Sequence, residues 1–172
     1  KGKAWIDKPR PWAYPLAMDT TPDQTADWPA RHLTDAMDPA RAAALSAVLG
    51  RAHDASAPLI PFAHQVYFWD ALPAERLGRD GHPARGEVLP DMGLPRRMWA
   101  GGRLVFAAPL RAAIPAAKTT VLAAATRKQG RSGPLAFVTL RHDITQAGQL
   151  CVTEWQDLVF RPDPDAAPNA AA

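Results

Sequence analysis

Residues Leu94 to Leu110 read LPRRMWAGGRLVFAAPL. The stretch opens on a turn-prone Leu-Pro and carries two arginines, a methionine and a tryptophan. It then passes through Gly101-Gly102 into the run Leu104-Val105-Phe106. Adjacent glycines permit positive φ and close backbone approach, and the run after them favours extended backbone. The reading is a bend feeding a strand, with bulky and cationic side chains held beside the bend. Such a junction suits a wall of a binding site. The plainer reading is a strand entry with a β-bulge.

Three further strand candidates follow it. They are Ala117–Arg127, with Thr119, Thr120 and Val121; Pro134–Ile144, with Phe137, Val138, Thr139 and Leu140; and Leu150–Arg161, with partial alternation. The first strand is expected over Arg103–Ala108. A polar turn, KQGRSG, separates the second and third, and Gln146-Ala147-Gly148 is a hairpin-type connection before the fourth. Connections this short argue antiparallel neighbours.

Upstream, Asp38-Pro39 opens the clearest helix, with Asp38 as N-cap and Pro39 at the first helical position. Ala42, Leu45, Val48, Leu49 and Ala52 follow at helical spacing, and Gly50 stands near the C-terminus. The pattern predicts an amphipathic helix of roughly 13 residues lying on an apolar surface. One helix and an antiparallel sheet give an α+β domain. Residues 58–70, PLIPFAHQVYFWD, fit a short helix or a strand, and His64 among these aromatics reads as a packed residue with one hydrogen bond or as a ligand. Residues 71–93 read as a long loop, a functional or mobile segment. Residues 1–34, with Trp5, Trp12, Tyr14 and Trp28 among prolines, read as an extended arm pinned to the domain by its aromatics. The domain is expected over 35–161. The Pro/Ala/Asp-rich stretch 162–172 reads as a linker or tail leading onward.

Composition narrows the function. The chain has 172 residues, 47% of them hydrophobic and 22% charged, enough for a real core. Its 18 prolines are roughly double ordinary usage. The net charge is +3, and no dense Lys/Arg tract is interleaved with aromatics, so nucleic acid is not an expected partner. No stretch of 18 apolar residues occurs, so no membrane span is expected, and no secretory signal pattern is present. A cytoplasmic protein is the expectation. The single cysteine, Cys151, excludes an internal disulfide and any metal site built on paired cysteines, and reads as a small buried side chain.

Motif chemistry is mostly missing. The sequence has no GxxxxGK[ST], GxGxxG, GxSxG or HExxH. His142 and Asp143 are neighbours on a strand candidate, so their side chains should point to opposite faces. Glu154 and Gln156 share one strand face and Asp157 takes the other. A buried carboxylate of raised pKa is conceivable among these, and a hydrogen-bonded structural role is the alternative.

The segment DGHPARGEVLPDMGLPRRMWAGGRLVFAAPL (Asp80–Leu110) resembles the N-terminal half of the MaoC-like type 2 hydroxyacyl-thioester dehydratases, a family that includes mesaconyl-CoA hydratases. KQGRSGPLAFVTLRHDI (Lys128–Ile144) and TEWQDLVFR (Thr153–Arg161) agree with it. The resemblance implies a hot-dog fold, an antiparallel sheet wrapped around a helix, as one half of a double hot dog. It implies addition or removal of water across the double bond of an acyl thioester held between the two halves. That work falls in the family to an Asp and a His in a motif like G-D-x-N-x-x-x-H. The motif is absent from this sequence, so no catalytic residue is assigned here.

The expectation is therefore a substrate-side hot-dog domain that acts in an oligomer with a catalytic hot-dog domain or subunit. CoA or a carrier protein enters only as part of the thioester substrate. No metal and no other cofactor is expected. Arg96, Arg97 and Arg103 could pair with a phosphate or carboxylate, Met98 and Trp99 could line an apolar channel, and Gly101 and Gly102 would shape the bend between them. The rival readings are a stand-alone acyl-thioester-binding or assembly subunit, and a hot-dog thioesterase using Glu154 or Asp157.

Overall fold

The computed structural model describes residues 28–85, 87–131 and 133–164. Five strands form one antiparallel sheet: β1 (Arg31–Asp35), β2 (Arg96–Phe106), β3 (Ala116–Gly130), β4 (Gly133–Gln146) and β5 (Gln149–Arg161), in the order β1-β3-β4-β5-β2. Helix α1 (Pro39–Val48) lies between β1 and β2 in the chain. This is the α+β hot-dog arrangement that the resemblance implied. Among the described residues no helix is long and apolar enough to cross a membrane.

Local chemistry explains the connections. The β4–β5 turn places Ala147 at φ 50° and Gly148 at φ 77°. Positive φ at both central residues is what a two-residue hairpin turn needs to match the strand twist. At the helix start, the Asp38 side chain accepts from Ala40 N at 2.9 Å, as an N-cap should. Gly50 closes the helix at φ 63°.

The helix corrects one expectation. It has 10 residues, and of these only Ala42 is buried. Val48 is 85% exposed and Leu49 52%. The expected apolar stripe therefore does not lie on the sheet. The helix ends too early, and it packs on a 3₁₀ turn at Ala63–Val66. That turn resolves the ambiguous aromatic run, with Phe62 and Phe68 at its flanks in left-handed backbone, φ 71° and 57°. Asp35 fixes the join: one carboxylate oxygen accepts from Met37 N at 2.7 Å, and the other from Phe68 N at 2.8 Å and Arg41 Nη1 at 3.1 Å.

Strand β1 falls mostly inside the segment read as an arm. It holds the sheet edge by pairing Arg31 with Thr120 through Asp35 with Ala116. Trp28 packs against the core, whereas Trp5, Trp12 and Tyr14 lie outside the described residues.

Strand β2 begins at Arg96, before the glycines, so these sit inside the strand. A register shift falls between Trp99 and Gly101. The stretch is thus the strand with a bulge. Neither glycine needs positive φ. A Cβ on Gly102 would stand 2.9 Å from the backbone oxygen of Trp155 and 3.7 Å from the Trp99 ring. Close approach is the reason for a glycine there.

The loop 71–93 is built rather than structureless. It carries a 3₁₀ turn at Ala74–Arg76 and a bridge between Leu77 and Pro83. Val88, Leu89 and Met92 sink into the core beside Leu140, Leu158 and Phe160. A second buried cluster gathers Met37, Tyr67, Phe68, Ile144, Cys151 and Val152. Burial raises the Cys151 thiol pKa, as fits a small core side chain.

Candidate functional site

The two apolar clusters meet the same sheet face, and a polar band runs between them. Strand alternation puts Ala136, Val138, Leu140, His142, Ile144 and Gln146 of β4 on this inner face. His142 interrupts an otherwise apolar row. It pairs across to Thr120 on β3 and Glu154 on β5, and Gln156 stands beside Leu140. Thr120 Oγ1 lies 2.8 Å from His142 Nδ1, and Gln156 Oε1 lies 3.4 Å from His142 Nε2. Burial lowers the His142 pKa first, and the nearby Lys118 charge lowers it further, against the opposing pull of Glu154. Burial thus disfavours the charged imidazole, and both nitrogens are in use.

His64 enters the band from the 3₁₀ turn. It is buried, its Nε2 lies 3.4 Å from Glu154 Oε2, and Gln65 Nε2 donates to both Glu154 oxygens at 3.0 Å. Burial would raise the Glu154 pKa. The hydrogen bond with His64, the charges of His142 and His64, and Gln65 outweigh it and leave Glu154 below its ordinary value. Asp157 takes the outer face, where Thr139 donates to it at 2.7 Å.

Beside this band lies a cavity of about 440 Å³. Its floor is the sheet, at Lys118, Thr120, Leu140, His142 and Gln156. Its far wall is the loop, at His82, Pro83, Glu87 and Leu89. Arg97 and Trp99 line it from β2. Among the described residues no group of three or more His, Cys, Asp or Glu side chains could hold a metal ion.

The seven residues singled out in β2 divide between the faces. Arg97 and Trp99 pair with Phe160 and Leu158, and Gly102 with Gln156, all on the cavity side. Arg96, Met98, Gly101 and Arg103 pair with Arg161, Val159, Asp157 and Trp155 on the other side. Arg103 stacks on the Trp155 ring at 3.9 Å. Trp99 is 70% exposed. The residues that sequence reasoning passed over are Arg31, Lys118 and Thr120. The signal for them was the row of polar residues at inner positions of consecutive strands, legible only once the register is known.

Arg97 is already engaged. It forks onto Asp80 with Nε to Oδ2 at 2.7 Å and Nη2 to Oδ1 at 2.8 Å. The Arg97 hydrogen bonds hold the Asp80 pKa down to about 2. A depressed carboxylate stabilises above its unfolded pKa and loses that contribution as pH falls through the folded one. Asp80→Asn is expected to cost about 1 kcal/mol at neutral pH, after discounting for its exposure to water. The difference from the parent should shrink steadily below pH ~4. Urea unfolding at several pH values reads this directly, and a penalty independent of pH would show that the charge contributes nothing.

The five-stranded antiparallel sheet with its one α-helix is a hot-dog domain, and its inner face holds this part-polar cavity. The chain belongs to the hydroxyacyl-thioester dehydratase type 2 family, whose model matches residues 62–172. It is 43% identical over 145 residues to a mesaconyl-C(4)-CoA hydratase of Chloroflexus aurantiacus, covering 80% of this chain and 52% of that protein. The chain thus spans about half the length of this curated relative. Among solved structures, the ChsH1–ChsH2 complex of Mycobacterium tuberculosis matches with a TM-score of 0.57 at 12% identity, over 80% of this chain and 85% of that one. That likeness is one of fold.

Proposed function

We propose that this chain is the substrate-side hot-dog half of an enoyl-thioester hydratase or dehydratase. A second hot-dog domain or subunit would supply the acid and base. The family membership supports the reaction class, and the named relative, a hydratase about twice as long as the matched region, supports a two-part enzyme. The observation that carries the division of labour is the cavity itself. Of the two histidines that line it, His142 on the floor is hydrogen-bonded at both nitrogens and burial disfavours its charged form, and the Asp143 beside it in sequence is turned to the outer face, bonded to Thr153 and Arg141. Hydration needs a base for water, an acid for the α carbon and donors for the thioester oxygen. The cavity offers walls and donors. The substrate brings its own CoA or carrier protein, and water addition calls for no redox group.

An exposed apolar patch supports a docking partner. Phe62 and Phe106 are 59% and 46% exposed, and their rings meet edge to face at 6.0 Å. They lie next to β2, which forms one edge of the sheet. A hot-dog partner set here would cover both the patch and the unpaired edge.

The test compares the full-length protein or complex with this chain alone, using an enoyl-CoA and following loss of the conjugated double bond. Turnover is expected only from the assembly, with acyl-CoA binding retained by the chain. Hydration by the chain alone would overturn the proposal. Glu154 with His64 favours a second reading, a thioesterase, and free thiol release without hydration would establish that one instead.

A further inference from the structure

The outer face of the sheet is a second surface, turned away from the cavity. Strand alternation stacks its side chains in rows that cross the strands. One row sets Met98 of β2, Val159 of β5 and Phe137 of β4 side by side, all half-buried. The next row, through Gly101, Asp157 and Thr139, lies low. Gly101 has no side chain, and Asp157 accepts from Thr139 at 2.7 Å. Cations flank this pair of rows. On one side stand Arg96, Arg161 and Lys128, the last with its ammonium 5.8 Å from the Phe137 ring centroid. On the other side Arg103 and Arg141 bracket Trp155, and Arg103 stacks on its ring. The carboxylates that these strands place on the outer face are Asp143 and Asp157, both already bonded within the sheet. No helix or further strand of the described residues packs on this face.

The dimensions of this surface select a shape. From Arg161 to Trp155 along β5, the two cation rows lie about 20 Å apart at about 3.3 Å per residue. An α-helix with its side chains is about 10–12 Å across and fits between them. Four strands at a spacing of about 4.8 Å give a seat about 14 Å long, or roughly 10 helical residues. A helix laid along the rows would rest an apolar stripe on Met98, Val159 and Phe137 and turn its two flanks toward the cations. Acidic flanks complement them, and basic flanks are repelled. A second copy of this face is a poor fit, because its cation rows would oppose these ones.

We propose that the outer sheet face docks an acidic amphipathic helix of a partner protein, seated across β2, β5, β4 and β3 between the two cation rows. The proposal stands apart from the hydratase reading, since it uses the opposite side of the sheet from the cavity. The experiment uses the full-length protein or complex and two synthetic helical peptides of about 15 residues. Both carry the same apolar stripe, one with glutamates on its flanks and the other with lysines. Fluorescence anisotropy is expected to show the glutamate peptide binding at least about tenfold tighter, with an affinity that falls as salt is raised. Arg141→Glu and Lys128→Glu, on opposite sides of the seat, should each weaken that binding at least about fivefold. The comparison of the two peptides on the unmodified protein holds whether or not the variants fold. Absence of binding by the glutamate peptide, equal affinities for the two peptides, or folded variants that bind as the parent does would overturn the proposal. Tighter binding of a single-stranded oligonucleotide than of the glutamate peptide would make the face a stacking platform for nucleic acid and would overturn it too. So would a change of oligomeric state in Arg141→Glu, read by sedimentation, which would make the face a contact between copies.

Discussion

Phe160→Ala is expected to remove about 3–5 kcal/mol of stability, a large fraction of what a domain of this size holds. Phe160 is fully buried at the end of β5, where the sheet meets Val88, Leu89 and Met92 of the loop. Removing the ring deletes its transfer free energy and leaves a void that a strand paired on both sides cannot close. The Arg85 guanidinium, 5.6 Å from the ring centroid, loses its aromatic platform as well. The effect should reach the cavity, because the loop that Phe160 anchors is the cavity's far wall. Denaturant unfolding should show a lowered midpoint with an unchanged slope. Hydrogen exchange should report faster opening of residues 79–93 than of β3 and β4. A loss below about 1 kcal/mol would mean that the loop collapses onto the vacated space.

Glu154→Ala should be the next most severe change, at about 2–3 kcal/mol. It strips Gln65 and the buried His64 of their acceptor, and it removes the one anion that acts on both His142 and Lys118. The pH dependence follows from the lowered pKa of Glu154. Its linked stabilisation is present above the ordinary glutamate value and is lost as pH falls through the folded one. The penalty of the alanine variant should therefore be largest near neutrality and should narrow in acid. Glu154→Gln keeps an acceptor for Gln65 and should recover part of the loss. A penalty that is flat with pH would assign the effect to packing alone.

Much of this architecture was legible in the sequence. The run Phe137–Leu140, the partial alternation after Leu150 and the Gln146-Ala147-Gly148 turn placed the third and fourth strands within a residue or two. The pairing Asp38-Pro39 marked the helix start. Turn and period signals are local, and local signals survive without tertiary context. What was not legible depended on contacts across the chain. The helical stripe through Val48 and Leu49 looked like a core face, yet the helix stops beside the 3₁₀ turn and leaves both exposed. Gly101-Gly102 looked like a hinge. The close pass of the Trp155 carbonyl that demands Gly102 is a register fact, invisible until β2 is set against β5. Of the arginines in that stretch, Arg97 faces the cavity and is already committed to Asp80. Lys118 carried no motif at all.

The cavity wall between residues 76 and 87 is fastened in a different way from the sheet behind it. Arg76 with Glu87, Arg79 with Asp163, Arg85 with Asp91 and Arg97 with Asp80 all tie this loop down through charge, and most of these groups face water. The sheet is held by apolar packing. Dissolved salt screens exposed charges over a Debye length of about 10 Å at 0.1 M and leaves apolar contacts untouched. Ionic strength thus acts as a dial on one wall only. Raising it loosens the lip of the cavity while the floor stays rigid, so the ease of ligand entry and the stability of the fold answer to different properties of the solvent.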